Sequence, residues 1–428
     1  MNAGDLVSIL LTIDGADESL RDLVNSHTVD ALVCLAAGAG ATEGSSLLAF
    51  YRETGARDAL SSAAGASAAI RFTEWDAIHV PSCATPDAMA VPAALIFAQD
   101  HAVYVKAVAA GHAVGVALSE AVGGVSALPE TWPGLFAAPA VAAVSAAIAL
   151  SLSGEQVAQA LVLSMAGSSG RNGRPSGMPS ARWLVIGEAV LKGIRAALAA
   201  KAGIKGDLEL LSPGWMKGQA AAAVALEPAH VDPLAIARVG MKPFVSARQG
   251  VNAIQAFRHL LEKGVDPGAV DSVEVFLPPV AAPVASRPLM AEDRLSTIAH
   301  LGLQLGIAAL EPARLTDVDR SRPFNAEVLA FAELVTITAD ETLAGEGWPA
   351  RVVLTEKGQT REGIWTQACG EDAQAMLGRK IESLPAKTAR QLQRLEAALA
   401  DADAAAVQEA RSLLMELTDT SFPRSEAA

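Results

Sequence analysis

Apolar residues in the first 240 positions recur at the spacing of helices. In segment 188–202, Val190 and Ile194 fall on one face, while Lys192 and Arg195 lie off that face. Gly, Pro and Ser separate these periodic segments, and no convincing two-residue alternation interrupts them. The same helical spacing occurs in segments 93–98, 103–121, 140–152 and 155–165. The pattern therefore predicts successive helices and no strand in this part of the chain.

After position 241 the pattern changes. Segment 272–277 alternates, with Val273, Val275 and Leu277 on one face. Segments rich in β-branched residues predict further strands at 334–338 and 351–355, and helical spacing predicts helices at 251–263 and 297–310. This second region therefore predicts a smaller α+β domain.

Leucines at helical spacing return between positions 384 and 417. We expect this last segment to pack back on the first helices. The prediction is a mainly α protein with two domains, a large all-helical domain and an α+β lid domain. The all-helical domain is formed by residues 1–240 and 384–428, and the lid by residues 241–383.

Composition and charge limit the possible partners. Aromatic residues make up only 4% of the chain while alanine is abundant, which favours closely approaching helices. The formal charge of −14 argues against nucleic acid, because two polyanions repel each other. A local basic pocket for a small anion is compatible with this charge, so a small-molecule partner is expected.

The cysteines and the apolar stretches indicate a cytoplasmic protein. Cys34, Cys83 and Cys369 are widely spaced and odd in number, which supports neither a disulfide framework nor a metal site. The first 14 residues lack the basic region of a signal peptide. Segment 131–154 has no charged residue, but its prolines and small residues favour a buried helix over a membrane span.

Several segments are similar, in order, to motifs of the MmgE/PrpD family of dehydratases and decarboxylases. The run FTEWDAIH at 72–79, followed by TPDAMAVPAAL at 85–95, resembles the family's Asp-Asp-Thr and His-Pro motifs and the apolar helix behind them. Further similar segments are 107–114, 131–138, 181–187, 242–248, 271–275 and 384–387. The resemblance extends over nearly the whole chain, and the shared order makes it more specific than any single motif.

The resemblance implies a homodimer whose large helical domain and α+β lid enclose a cleft. It also implies elimination of water or CO₂ from a small polycarboxylate, or its epimerisation, with no metal and no organic cofactor. Such chemistry needs a base beside the substrate carboxylate, an acid for the leaving group, and cations that hold the negative charge. Histidine and lysine supply these groups in the usual family members.

The chain departs from the family at the positions where those histidines are expected. Thr85 and Trp132 stand at the His-Pro and Trp-His-Pro histidines, and Val185 and Val251 stand at two more. Arg182 replaces the family's lysine. Thr is no base near neutral pH, and Trp and Val do not titrate, so the usual proton-transfer set is missing. Trp132 is expected to fill volume and to reshape the pocket for a larger or less charged substrate.

His79, Asp76 and His300 are the catalytic candidates. Asp76 precedes His79 by three residues, so on a helical turn its carboxylate would orient the imidazole and raise its basicity. The alternative is a structural pair. His300 falls in the first turn of the helix expected near 297, beside a family tyrosine, and either lines the pocket or does not. Glu74 and Asp87 either join this group or are solvated. The other histidines, at positions 27, 101, 112, 230 and 259, are interpreted as structural.

The substrate-binding candidates are mainly cations. Arg171, Arg174 and Arg182 lie in or next to a Gly- and Ser-rich loop, where they would clamp a carboxylate. For Arg171 and Arg174 the alternative is an ordinary exposed loop. Lys242 and Arg248 open the second domain and would add positive potential around an anion, although Lys242 is equally placed for a hinge. Thr85 and Trp132 complete the predicted site, and the prediction includes no metal ligand.

Cys83 follows Pro81 and Ser82 just before the predicted site. It is interpreted as a small buried thiol rather than a nucleophile, because no adjacent base is assured.

Three functions follow from these observations. The first is a cofactor-independent lyase or isomerase acting on a carboxylated small molecule, with His79 and Asp76 as acid and base. The second is a cyclase or double-bond isomerase acting on a less polar metabolite, which a pocket with Trp132, Val185 and Val251 would suit. The third is a binding or scaffold protein that kept the fold after losing its catalytic residues.

Overall fold

A computed structural model gives the fold. It describes residues 1–55, 58–128, 130–171, 181–290, 293–343, 347–366, 372–402 and 405–419. The chain forms two compact units, Met1–Met241 with Leu377–Ala428, and Lys242–Met376. The sequence placed the corresponding boundaries at 240/241 and 383/384. The second boundary comes earlier in the structure, because the chain already re-enters the first unit within a helix that precedes Leu384.

The first unit is built from helices. Its N-terminal part contains α1 Ala3–Leu10, α2 Glu18–Gly40, α3 Thr42–Thr54, α4 Ala59–Phe72, α5 Asp87–Leu95, α6 His101–Ala121, α7 Pro133–Ala149, α8 Gly154–Met165, α9 Ala181–Lys201 and α10 Pro213–Lys217. Short 3-10 helices at Gly124–Ala127, Pro228–His230 and Ala235–Arg238 connect them. Apart from two isolated bridges, the described residues of this unit contain no strand, as the apolar pattern predicted.

Small residues bring the central helices together. A Cβ added to Gly111 of α6 would collide with Ser145 of α7, and one added to Gly193 of α9 would collide with the backbone of α7 at Pro139. Helices can approach this closely only where one of them lacks a side chain. The alanine-rich composition therefore produces the close helix packing that it predicted.

The most apolar helices lie in the core. Every residue of α7 is buried, in agreement with the buried helix predicted for 131–154. Helix α6 is long and apolar enough to cross a membrane, but its most apolar window is 83% buried inside the protein. Helices α2 and α3 pass the same test only as a pair bent by 97°. Helix α6 is therefore a buried core helix of the first unit.

The second unit contains helices and one mixed sheet. Its helices are α11 Arg248–Glu262, α12 Ala282–Ala285, α13 Arg294–Ala299, α14 Leu301–Leu310 and α15 Ala326–Ala332, and its strands are β1 Val270–Leu277, β2 Val335–Ala339, β3 Ala350–Glu356 and β4 Gln359–Trp365. Short 3-10 helices lie at Pro267–Ala269, Pro312–Thr316 and Glu341–Leu343. The strand order is β2-β1-β3-β4, with β1 parallel to β2 and the other pairs antiparallel. The three predicted strands are confirmed, whereas β4 was not predicted.

The predicted helix at 297–310 is two helices. Residue His300 ends α13 and caps α14, with its Nδ1 accepting a hydrogen bond of 3.0 Å from the backbone N–H of Leu303. His300 therefore does not lie inside the first turn of one continuous helix, as the sequence had suggested. A ring nitrogen used in this way satisfies one of the orphan donors at a helix start.

The chain returns to the first unit through three helices, α16 Ala373–Glu382, α17 Ala386–Ala400 and α18 Ala406–Thr418. Their leucines at helical spacing, such as Leu392, Leu395 and Leu414, are fully buried. Burial of each such side chain contributes roughly 1.5–3 kcal/mol relative to exposure, which holds the C-terminal segment on the first helices.

Loop 73–86, between α4 and α5, has an unusual backbone. Glu74 has φ 53° and Cys83 has φ 54°, both in the left-handed region that non-glycine residues avoid. Isolated bridges join Ile78 to Gly240 and His79 to Ala84. Non-glycine residues in this region cost of order 1 kcal/mol or more each and concentrate at functional sites, so this loop is the natural place to look for one.

Candidate functional site

The predicted pair of Asp76 and His79 is not formed. Residues 76–79 are not a helical turn, and His79 Nδ1 lies 2.8 Å from the Ser82 hydroxyl oxygen instead. Only 1% of His79 is exposed, and burial together with Arg238 lowers its pKa to about 4. The carboxylate that approaches His79 is Glu120, with its Oε1 3.9 Å from Nδ1, and not Asp76. A buried, weakly basic imidazole does not fit the proton-transfer role that the sequence suggested.

Asp76 belongs to a buried ion cluster. It pairs with Nη1 of Arg71, whose Nη2 lies 2.9 Å from Glu74 Oε1. Burial alone would lower the pKa of Arg71, but Asp76 and Glu74 outweigh it and raise that pKa. The Arg71 side chain is 4% exposed, so the cluster fixes the strained turn at Glu74 from inside.

Arg182 lies at the edge of this cluster, on the ring of Trp132. Its guanidinium carbon is 4.0 Å from the ring centroid, and its Nε is 4.0 Å from Glu74 Oε1. The side chain is 24% exposed, whereas Trp132 is 6% exposed. A guanidinium stacked on an indole is held in place by cation–π attraction, which fixes the orientation of its planar group.

Glu74 is the carboxylate that connects these groups. Its Oε1 accepts hydrogen bonds from Arg71 and, at 3.3 Å, from Trp183 Nε1 of α9. Trp183 is fully buried and packs edge-on against Phe72 of α4. Helices α4 and α9 therefore fix both the position of Glu74 and the start of the segment that carries Arg182.

Thr85 supplies a buried hydroxyl group. Its hydroxyl oxygen is buried and has no hydrogen bond within the described parts of the chain, although the residue is only 5% exposed. An unsatisfied buried hydroxyl costs about 1–3 kcal/mol, which a protein tolerates more readily where a ligand completes the bond. The predicted substrate contact at Thr85 is therefore compatible with the structure.

Cys83 is not a reactive thiol. It is 7% exposed, and burial raises its pKa to about 12 even though Arg182 opposes the shift. At neutral pH the sulfur stays protonated, which agrees with the buried thiol expected from the sequence. Cys34 is also buried, and burial raises its pKa too, whereas Cys369 lies outside the described residues.

Of the three arginines predicted to clamp a carboxylate, Arg171 and Arg182 lie within the described residues. Arg171 is exposed, and its backbone N–H donates to the Ser169 hydroxyl at 3.1 Å. Arg174 lies outside the described residues. Of the predicted arginine clamp, Arg182 is the member placed beside Trp132 and Glu74.

The two predicted cations of the second unit, Lys242 and Arg248, donate hydrogen bonds to backbone carbonyls of that unit. Lys242 is 2% exposed, and its Nζ donates to the Ser246 carbonyl at 3.3 Å. Arg248 is 3% exposed and donates to the Gly347 carbonyl at 3.0 Å. Both side chains have structural contacts within the second unit, and their roles as anion-holding groups stay predictions.

A buried triad that the sequence did not predict lies in the core of the first unit. Asp87, the first residue of α5, places Oδ2 at 2.8 Å from His27 Nδ1 of α2 and Oδ1 at 2.5 Å from His112 Nε2 of α6. The sequence leaves Asp87 either solvated or part of the catalytic group, and it predicts structural roles for the two histidines. The structure buries Asp87 completely, because the first turn of α5 faces the core.

Asp87 and His27 stabilise each other's charged form. Burial alone would raise the pKa of Asp87, but His27 and His112 outweigh it, and the pKa lies well below its usual range. Burial alone would lower the pKa of His27, but Asp87 raises it above its ordinary value. His112 Nδ1 also lies 2.8 Å from the Val108 carbonyl.

Lys380 of α16 forms a second buried ion pair nearby. It pairs with Asp30 of α2 and donates to the Trp75 carbonyl at 3.1 Å. Burial alone would lower the pKa of Lys380, but the Asp30 carboxylate outweighs it and raises that pKa. The triad and this pair hold α2, α5, α6 and α16 together through charge.

The only sequence signal for the triad was compositional. His112 is the one ionisable residue in the apolar run from Val108 to Leu118, and Asp87 opens an otherwise apolar helix. A polar residue inside an apolar helix signals a buried partner. The signal does not name that partner, because His27 is 60 positions from Asp87.

A search of protein-family models with this chain finds no match, and a search of curated proteins finds no match either. The resemblance to the MmgE/PrpD family therefore rests on the sequence motifs alone.

Proposed function

We propose that the protein is a lyase or isomerase that acts on a small carboxylated molecule and moves a proton without an organic cofactor. The stacking of Arg182 on Trp132, with its Nε 4.0 Å from Glu74 Oε1, is the observation that carries the proposal. The buried hydroxyl of Thr85, which has no hydrogen-bond partner among the described residues, supports it. The motif order shared with the MmgE/PrpD family supports the same chemical class.

In this proposal Arg182 binds the substrate carboxylate. Its guanidinium is already oriented by Trp132, so less side-chain entropy is lost when it forms a bidentate pair with the planar anion. The Thr85 hydroxyl donates a hydrogen bond to a second oxygen of the substrate. Both groups are suited to hold the negative charge that develops when a proton leaves the carbon next to the carboxylate.

Glu74 takes the proton in place of His79. In the free protein the carboxylate of Glu74 lies close to both Arg71 and Arg182, and these cations favour its charged form. A substrate carboxylate that binds Arg182 places a second negative charge beside Glu74 and competes for the same cation. Substrate binding therefore raises the proton affinity of Glu74 when a base is needed.

The first test is a product-detecting mass spectrometric screen of the full chain against citrate, aconitate and larger unsaturated carboxylates. Loss of one water or one CO₂ indicates a lyase, and a new product of unchanged mass indicates an isomerase. Arg182→Lys and Glu74→Gln are expected to lower turnover at least about 100-fold, since each removes a contact to the charge developing in the transition state.

Arg195→Lys is the matched control, because Arg195 lies on the same helix and is exposed. Its turnover should equal that of the wild type. Unchanged turnover in Glu74→Gln would exclude Glu74 as the base, and unchanged turnover in Arg182→Lys would exclude the proposed carboxylate contact.

The second candidate is a binding protein that has no turnover. It is favoured by one observation, the burial of His79 with its Nδ1 against Ser82, which removes the expected histidine base. Saturable binding of a carboxylate that depends on Arg182, together with no product from any compound in the screen, would support this candidate over the enzyme.

A further inference from the structure

The triad of His27, Asp87 and His112 has the composition of a transition-metal site. One ligand atom from each side chain lies within 4.8 Å of the others. The side chains are 4%, 0% and 0% exposed. Among the described residues, no other group of three His, Cys, Asp or Glu side chains brings its ligand atoms this close. Two imidazoles and one carboxylate are a ligand set that zinc and its neighbours in the first transition row accept.

We propose that this triad binds one divalent transition-metal ion, zinc by its ligand type, in the interior of the first unit. The ion is coordinated by His27 Nδ1, His112 Nε2 and both oxygens of Asp87. This site is separate from the proposed reaction site at Arg182, and neither proposal depends on the other.

The two rings are arranged as ligands of one ion would be. Their centroids are 5.5 Å apart and their planes make an angle of 72°. A zinc ion about 2.0–2.1 Å from an imidazole nitrogen lies about 3.2 Å from the ring centroid. The observed centroid separation then corresponds to an angle of about 120° between the two nitrogens at the ion, close to that of a four-coordinate site.

Contacts behind the ligands set their orientation. His112 Nδ1 donates to the Val108 carbonyl, which leaves Nε2 for the ion, as outer contacts of ligating histidines usually do. Each oxygen of Asp87 faces one histidine, at 2.8 Å and 2.5 Å. Neighbouring ligand atoms around a four-coordinate zinc ion lie about 3.3 Å apart, so each histidine nitrogen and its carboxylate oxygen need to separate by about 0.5–0.8 Å.

The ion would have a structural role. One ion would cross-link three core helices, because its ligands lie on α2 (His27), α5 (Asp87) and α6 (His112). No side chain of the triad has an appreciable exposed surface at which a substrate could be coordinated. Binding to the folded form alone raises the stability of the protein by mass action.

The test uses the full-length protein after chelator treatment, titrated with Co²⁺ and with Zn²⁺. We expect one ion per chain and the visible absorption of four-coordinate Co²⁺, which Zn²⁺ should displace. Asp87→Asn and His112→Gln should abolish this binding. His259→Gln, which changes a half-exposed histidine of the second unit, should leave it unchanged.

A measurement on the wild type makes the test independent of whether the variants fold. X-ray absorption at the zinc edge should show two imidazole nitrogens in the coordination shell. A shell without imidazole, binding that survives Asp87→Asn, or failure of the wild-type protein to retain an ion against dialysis would overturn the proposal.

Discussion

The two charged clusters of the first unit differ in how completely their groups are satisfied. In the triad, both oxygens of Asp87 have histidine partners and the carboxylate is fully buried. In loop 73–86 and its neighbours, the backbone is strained at Glu74 and Cys83, the hydroxyl of Thr85 has no partner among the described residues, and Arg182 is partly exposed. Satisfied buried charges fix a structure, whereas strain and unsatisfied donors are what a ligand can relieve. We therefore assign structure to the first cluster and chemistry to the second.

The largest expected effect is the loss of protein stability when the triad is disrupted. Asp87→Asn should lower the free energy of unfolding of the metal-free protein by about 3–5 kcal/mol, because it leaves two buried imidazoles without their carboxylate. Urea unfolding followed by circular dichroism measures this loss. Asp232→Asn is the control, since the pair of Asp232 with Arg238 is about two-fifths exposed. It should cost less than about 1 kcal/mol, and an equal loss in both variants would contradict a structural role for the triad.

The next largest effect is on how the free energy of unfolding depends on pH, which has opposite directions for His79 of the loop and His27 of the triad. In the folded protein His79 has a pKa of about 4, below its unfolded value of 6.5. The unfolded chain therefore binds the proton more readily, so the contribution of His79 to the free energy of unfolding is present above pH 6.5 and is lost as the pH falls toward 4. His27 has a raised pKa, so its contribution is present below pH 6.5 and is lost as the pH rises through its folded pKa.

Unfolding free energies of the wild type, His79→Gln and His27→Gln between pH 4.5 and 8 measure these dependences. As the pH falls from 6.5 to 4.5, the free energy of unfolding of the wild type should decrease by about 1–3 kcal/mol more than that of His79→Gln. The wild type should have a larger free energy of unfolding than His27→Gln at low pH, and this difference should decrease as the pH rises. The same slope in all three proteins would show that neither histidine is linked to folding as described.

The smallest expected effect on stability is at the reaction site. Thr85→Val removes a hydroxyl that has no partner in the described structure and keeps the shape of the side chain. It should leave the free energy of unfolding unchanged or raise it by up to about 1 kcal/mol, because a buried unsatisfied group is removed. Thermal unfolding compares it with Thr28→Val, which breaks the 2.6 Å hydrogen bond to Tyr104 and should be destabilising. A clear loss of stability in Thr85→Val would mean that the hydroxyl is bonded in the folded protein.

The sequence predicted those parts of the fold that depend on local pattern. The helix at 188–202 and the strand at 272–277 follow from periodicity, since one face of each is buried. Strand β4 was missed because only Gly363 of its residues is buried, so its sequence shows no apolar alternation. The break at His300 was missed because a histidine side chain is an unusual helix cap.

The candidate site was predicted only in part, for a physical reason. Arg182 and Trp132 were selected from motif positions, and the structure stacks them. Asp76 and His79 were paired on the assumption of a helical turn, but the backbone of loop 73–86 turns their side chains toward Arg71 and Ser82. Partners that are distant in sequence cannot be inferred from spacing in one chain.

The most direct test of the assignment is solvent exchange of substrate protons in D₂O, followed by proton NMR. Citrate, aconitate and larger unsaturated carboxylates would be incubated with the wild type, Glu74→Gln, Arg182→Gln and Arg195→Gln. We predict that the C–H signal next to a carboxylate in at least one compound disappears with the wild type and with Arg195→Gln, and persists with the other two. Exchange that continues in Glu74→Gln and Arg182→Gln, or no exchange of any compound with the wild type, would contradict the account.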